Sequence, residues 1–134
     1  MLHPQTILVV DDDADIRIIV SRLFAIHGYH VDEAADGCAA FRRARQLAPD
    51  LIVLDLGLPG QDGWTVAREL RADPAFEHTP IVAITAYGDQ TALRAARAAG
   101  CHEVICKPFA LETLTETVQR LLPQAAPKRA RAWQ

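Results

Sequence analysis

The sequence has few cysteines, no long apolar run and no excess of positive charge. Its three cysteines, Cys38, Cys101 and Cys106, cannot all pair within the chain, so a reducing cytoplasm fits better than a disulfide framework. No apolar run approaches the ~20 residues of a membrane span, and the N-terminal MLHPQ lacks the basic and apolar segments of a signal peptide. Partners are therefore expected to include neither a membrane nor, at a net charge of -3, nucleic acid bound by this domain.

The composition is that of a globular domain. Half of the 134 residues are hydrophobic and 23% are charged, which suits one folded unit rather than a disordered chain. The last segment, PQAAPKRARAWQ, has two prolines, several small residues and three basic ones. We therefore expect a domain over residues 1–122 and a short basic tail, rich in proline and alanine, over 123–134.

Short apolar segments alternate with amphipathic ones along the chain. The segments that read as strands are residues 6–10, 29–34, 51–55, 80–85 and 103–106. The first, third and fourth of these are almost continuously apolar, as expected for strands buried on both faces. An amphipathic helical pattern follows each strand. This alternation predicts an α/β fold, with a parallel sheet covered by helices on both faces.

The first helix can be predicted in detail, including its buried face and the residues at its ends. Its apolar stripe is predicted from residues at helical spacing, namely Ile16, Ile19, Val20, Leu23 and His27. Asp13 precedes this helix and Asp36 precedes the second, and both are predicted as N-terminal caps. Gly28 follows the first helix and Gly100 the fourth, which is the usual place for glycine at a helix C-terminus.

Polar side chains follow the apolar strands at their carboxyl ends. Asp11 and Asp12 follow the first strand, Asp55 ends the third, Thr85 ends the fourth and Lys107 follows the fifth. In doubly wound sheets, ligands bind beyond these ends. Oxygen ligands from one or two carboxylates suit Mg²⁺, and an aspartate can act as a nucleophile toward phosphorus. An ammonium and a hydroxyl could stabilise the phosphoryl oxygens, so the pattern favours phosphoryl transfer with Mg²⁺.

Two other interpretations of the aspartate cluster DDDAD can be tested against the sequence. Asp11 would begin an EF-hand calcium loop, which needs glycine at its sixth position and glutamate at its twelfth. Those positions hold Ile16 and Arg22, so the calcium interpretation fails. A haloacid-dehalogenase-type phosphatase has threonine or valine where this chain has Asp15, and its later motifs are not evident.

Four segments carry a resemblance to a known family. They are VVDDDADIR at 9–17, LIVLDLGLPGQDG at 51–63, PIVAITAYG at 80–88 and CKPF at 106–109. In this order and spacing, they closely resemble the receiver domain of bacterial two-component response regulators, including the single receivers of chemotaxis. The resemblance covers about residues 5–122.

The resemblance implies both a fold and a function. The fold would be flavodoxin-like, with strand order 2-1-3-4-5. Asp55 would accept a phosphoryl group from the phosphohistidine of a sensor histidine kinase or a histidine phosphotransfer protein. Lys107 would pair with Asp55 and then with a phosphoryl oxygen. Thr85 would bind another phosphoryl oxygen and report phosphorylation to a surface that binds a downstream protein. The domain would catalyse its own phosphorylation and dephosphorylation without turning over an external substrate.

The resemblance also implies a set of magnesium ligands. Asp12 and Asp55 would ligate Mg²⁺ directly, and Asp11 would act mainly through water. The carbonyl oxygen of Gly57 would complete the protein ligands.

The sequence departs from the common family pattern at several positions. Val104 stands where an aromatic switch residue is frequent. Gly57 and Tyr87 occupy the places that influence access of water to the acyl phosphate. Ala110 replaces the usual capping residue of the last helix. The resemblance also implies a cis peptide bond at Lys107–Pro108, where proline makes the cis form accessible.

The sequence leaves two alternatives to a phosphorylated receiver. A pseudo-receiver would bind proteins without being phosphorylated, but such domains usually lose an acidic residue, the acceptor aspartate or the lysine, and all are present here. The chain could also be a fragment of a larger regulator or of a hybrid kinase.

Overall fold

A parallel sheet of five strands forms the centre of the structure, a computed structural model that describes residues 4–57, 63–86, 88 and 90–122. The strands are β1 (Thr6–Val10), β2 (His30–Ala34), β3 (Leu51–Asp55), β4 (Ile81–Thr85) and β5 (Glu103–Cys106). Their order in the sheet is β2-β1-β3-β4-β5, with every neighbouring pair parallel. The predicted strands and the expected flavodoxin-like order are thereby confirmed.

In the part of the chain that the structure describes, five helices connect and follow the strands. They are α1 (Ala14–Ile26), α2 (Gly37–Leu47), α3 (Gly63–Ala72), α4 (Gln90–Ala98) and α5 (Leu111–Leu121). A short 3₁₀ turn, Pro74–Phe76, follows α3. Within the described part of the chain, no helix is both long and apolar enough to cross a membrane. The tail predicted over residues 123–134 lies outside the described residues.

Alternate residues of each central strand enter two separate cores. On one face, Leu8 and Leu54 pack with residues of α2, α3 and α4. On the other face, Val9 and Val53 pack with residues of α1 and α5. This two-sided burial explains why the central strands are apolar at nearly every position. It also leaves the carboxyl ends of the strands as the place where polar groups can gather.

The predicted apolar stripe of α1 is partly wrong. Val20 is buried as expected, but Ile19 is 52% exposed. His27 also lies at the surface. The core position is taken instead by Phe24, which is fully buried and contacts the ring of Tyr29 edge-on at 6.0 Å. An apolar helix offers several rows at helical spacing, and docking against the sheet selected the row that contains the large aromatic ring.

The ends of the helices agree with the sequence. The Asp13 carboxylate accepts hydrogen bonds from two N–H groups of the first turn of α1, and the Asp36 carboxylate caps α2 by accepting from the Ala39 N–H. Gly28 and Gly100 follow α1 and α4 with φ of 95° and 100°, a conformation that favours glycine. Ala110 makes no side-chain cap at the start of α5, as expected.

Candidate functional site

Three carboxylates meet at the carboxyl edge of the sheet. Asp55 is the last residue of β3, and Asp11 directly follows the neighbouring strand β1. Carboxylate oxygens of Asp11, Asp12 and Asp55 all lie within 4.8 Å of one another. Asp11 and Asp55 are only 4% and 5% exposed, whereas Asp12 is open to solvent. The pairing of β1 with β3 thus produces the cluster that the sequence predicted.

Asp55 is held by contacts to both carboxylate oxygens. The Gly57 N–H donates to its Oδ1 at 3.0 Å, and Lys107 Nζ lies 3.4 Å from its Oδ2. The Lys107 N–H donates to the Thr85 carbonyl at 2.8 Å. The Lys107–Pro108 peptide bond is cis, as expected. One carboxylate therefore faces an N–H group on one side and an ammonium on the other.

Thr85 ends β4, the strand next to Asp55. It is 2% exposed, and the residue before it, Ile84, lies opposite Asp55 in the ladder. The sheet therefore places Thr85 at the same edge as the carboxylates. Val104 is partly buried and packs against the core on the α2, α3 and α4 side of the sheet. Tyr87, whose side chain the sequence analysis singled out, lies outside the described residues.

The environment of Asp11 disfavours its ionised form, mainly because the carboxyl is buried. Burial raises the pKa of Asp11 to about 6, and the nearby Asp55 and Asp12 charges contribute to this rise. The Asp13 N–H, which donates to Asp11 Oδ1 at 2.9 Å, and the Lys107 charge both lower the pKa. A bound cation would favour the ionised carboxyl. Crowded carboxylate oxygens are ligands that Mg²⁺ prefers, so these residues fit that ion.

Comparison with known proteins identifies the family. The sequence matches the response regulator receiver domain family over residues 7–119. The chain belongs to this family. The receiver domain is thereby a component of two-component regulatory systems, and its sheet order and helices agree with that assignment.

The similar proteins include one that is about twice as long as the matched segment and two of about the same length. RpaA of Synechocystis sp., a DNA-binding dual master transcriptional regulator, is 39% identical over 126 residues, covering 90% of this chain and 52% of RpaA. Sporulation initiation phosphotransferase F of Bacillus subtilis is 30% identical, covering 89% of this chain and 94% of that protein. The crystal structure of chemotaxis protein CheY4 of Vibrio cholerae is 32% identical with a TM-score of 0.85, covering 89% of this chain and 99% of CheY4. The chain spans about half of RpaA.

Sequence reasoning missed two residues beside the carboxylates. Arg17, in the first turns of α1, donates from Nη1 to the Asp11 carbonyl oxygen at 2.8 Å. Its Nε donates to Glu33 Oε1 on β2 at 3.0 Å. Arg17 falls within the segment that carries the resemblance, but its partner on another strand could not be read from local spacing.

Proposed function

We propose that this receiver domain accepts a phosphoryl group on Asp55, in the cytoplasm, from the phosphohistidine of a sensor histidine kinase or a histidine phosphotransfer protein. The observation that supports this most is the pairing of the Asp55 carboxylate with Lys107 Nζ at 3.4 Å beside two further carboxylates. A structural ion pair alone would not need Asp11 and Asp12 at the same place.

The covalent step belongs to Asp55. A carboxylate oxygen of Asp55 attacks phosphorus, an acyl phosphate forms, and the bond from phosphorus to the donor's imidazole nitrogen breaks. The imidazole leaves with the electron pair of that bond. The charge of the imidazole ring therefore falls by one relative to the phosphorylated ring. Lys107 lies close enough to exchange its contact with the carboxylate for one with a phosphoryl oxygen, and the Thr85 hydroxyl would bind another.

The remaining carboxylates support the proposal that a divalent cation takes part. Asp11, Asp12 and Asp55 would hold Mg²⁺ together with the Gly57 carbonyl. At an effective dielectric constant of about 20, two unit charges 4.8 Å apart repel by about 3 kcal/mol. A phosphoryl group on Asp55 would add to this repulsion, and a bound Mg²⁺ supplies the positive charge that offsets it.

The direct test uses a small phosphodonor. Incubation with acetyl phosphate and Mg²⁺ is expected to add one phosphoryl group to the intact mass, and hydroxylamine, which cleaves acyl phosphates, is expected to remove it. Chelation of Mg²⁺ before the donor is added should prevent labelling. Labelling that persists after chelation would contradict the role of the cation. An unmodified mass under conditions that label another receiver would contradict phosphorylation itself.

Phosphorylation is further proposed to act on the face formed by α4, β5 and α5, where a downstream protein would bind. Val104 is too short to swing between two positions and is stiff about χ1, so the signal is expected to pass through Thr85 and the start of α4 instead. Hydrogen exchange with and without beryllofluoride and Mg²⁺ should show changes concentrated in residues 85–98 and small around Val104. Changes in exchange that are centred on β5, with no change in residues 85–98, would contradict this route.

A further inference from the structure

Arg17 joins the loop after β1 to the edge strand β2. Its Nη1 donates to the Asp11 carbonyl at 2.8 Å and its Nε donates to Glu33 Oε1 at 3.0 Å. The Arg17 side chain is only 18% exposed, and that of Glu33 is 37% exposed. A guanidinium offers donors in a rigid fork, so it can hold both acceptors in one geometry.

These contacts complete a set that immobilises Asp11. Its N–H donates to the Ala34 carbonyl at 3.1 Å, and its Oδ1 accepts from the Asp13 N–H at 2.9 Å. Arg17 binds the remaining backbone group, the Asp11 carbonyl. That carbonyl lies in the same planar peptide unit as the Asp12 nitrogen. Holding it fixes the direction in which the chain enters Asp12.

Asp12 is the carboxylate of the cluster that most needs such support. Its side chain is exposed, whereas Asp11 and Asp55 are enclosed by the sheet. The residue before it is held by Arg17, and Asp13 after it is held as the cap of α1. The two anchors therefore set where the exposed carboxylate can lie relative to its buried neighbours.

We propose that Arg17, held by Glu33, is a positioning residue that preorganises Asp11 and Asp12 for Mg²⁺. This inference rests on the proposed function, because it assumes that the three carboxylates bind the cation. Groups that orient metal ligands typically change metal affinity by about 10-fold to 100-fold when they are lost.

The sign of the effect separates positioning from charge. Arg17 is a cation near a proposed cation site, so its charge alone would weaken Mg²⁺ binding. Removal of that charge would then strengthen binding. Loss of positioning has the opposite effect and weakens binding. A role confined to tying α1 to β2 would change thermal stability and leave the Mg²⁺ affinity of the folded protein unaltered.

Arg43 provides a matched control. It forms an ion pair with Asp32, the neighbour of Glu33 on β2. Among the described residues, Arg43 makes no hydrogen bond or ion pair with the carboxylate cluster. Arg43→Gln therefore removes the same charge from the same edge of the sheet without touching Asp11. A general effect of surface charge would appear equally in both variants.

The experiment is calorimetric titration of the full chain with Mg²⁺ alone, well below the unfolding temperature. Arg17→Gln is expected to weaken binding about 10-fold, and Arg43→Gln to leave it nearly unchanged. Arg17→Lys should recover part of the affinity, because an ammonium can still donate to the Asp11 carbonyl. Asp12→Ala should lose binding. Circular dichroism checks that each variant is folded.

The outcomes separate this inference from the proposed function. If Asp12→Ala loses Mg²⁺ but Arg17→Gln binds as tightly as the wild type or more tightly, the positioning role is overturned and the metal site stands. If Asp12→Ala binds normally, the metal site itself is wrong. Should Arg17→Gln fail to fold, the Mg²⁺ affinities of Glu33→Gln and Glu33→Ala test the positioning role instead. Both remove one charge, but only glutamine keeps an acceptor for Arg17. Weaker binding by the alanine variant supports positioning, and equal binding overturns it.

Discussion

The Asp55→Asn variant is expected to gain no phosphoryl group from acetyl phosphate and Mg²⁺ under conditions that label the wild type. An amide is nearly the same size as a carboxylate and can still accept from the Gly57 N–H, so the fold should persist. Its oxygen is a far weaker nucleophile, and no acyl phosphate can form on it. Intact-mass measurement would show complete loss of the labelled species.

Asp50 supplies the control for this prediction. It stands directly before β3, at the opposite edge of the sheet, where its Oδ2 accepts from the Thr6 N–H at 2.7 Å. Asp50→Asn removes the same charge from the neighbourhood of the same strand and should be labelled like the wild type. A label retained by Asp55→Asn would place the acceptor on another carboxylate, which fragmentation of the labelled peptide would locate.

Gly63→Ala is expected to destabilise the domain strongly, and by more than alanine at Gly28. A Cβ at position 63 would lie 2.4 Å from Leu56 Cα and 2.5 Å from the Asp55 carbonyl oxygen. These are backbone atoms of Asp55, the proposed phosphoacceptor, and of its neighbour, so relief requires α3 and the end of β3 to separate. The Gly63 N–H also donates to the Leu56 carbonyl at 3.0 Å, and this bond would stretch.

The expected decrease in the free energy of unfolding is about 3 kcal/mol, the upper part of the range for overpacking. In a domain of this size such a change lowers the melting temperature by roughly 10 °C. Because the clash includes the Asp55 carbonyl, labelling by acetyl phosphate should also slow in the fraction that remains folded. Thermal unfolding followed by circular dichroism, together with the mass assay, measures both effects.

Gly28→Ala separates steric overlap from backbone conformation. Gly28 has a φ of 95°, but no atom lies within 4 Å of the position that a Cβ would take. Alanine there would cost about 1 kcal/mol for the left-handed backbone alone. Equal losses for the two glycines, or a Gly63→Ala protein as stable as the wild type, would show that the backbone contact at Gly63 is not limiting.

The sequence alone determined the strands and the polar residues that stand at their ends. A strand buried on both faces must be apolar at nearly every position, so residues 51–55 could be recognised without their partners. The parallel arrangement followed from the alternation of strands with helices, because parallel neighbours need a crossover. Since parallel strands end at one edge, Asp11, Asp55 and Lys107 could be expected together before any distance was known.

Other features depended on contacts between distant segments. The sequence of α1 allowed several apolar rows, and only docking against the sheet put Phe24 inside and Ile19 outside. The role proposed for Arg17 depends on its contact with Glu33. Glu33 lies beside α1 because β2 pairs with β1. The need for glycine at Gly63 likewise arises where α3 meets the end of β3. Local patterns determine which rows of a helix are apolar enough to be buried and which polar residues stand at the ends of the strands. The depth of a side chain and its partner across the fold depend on how the elements pack, and no local pattern contains that information.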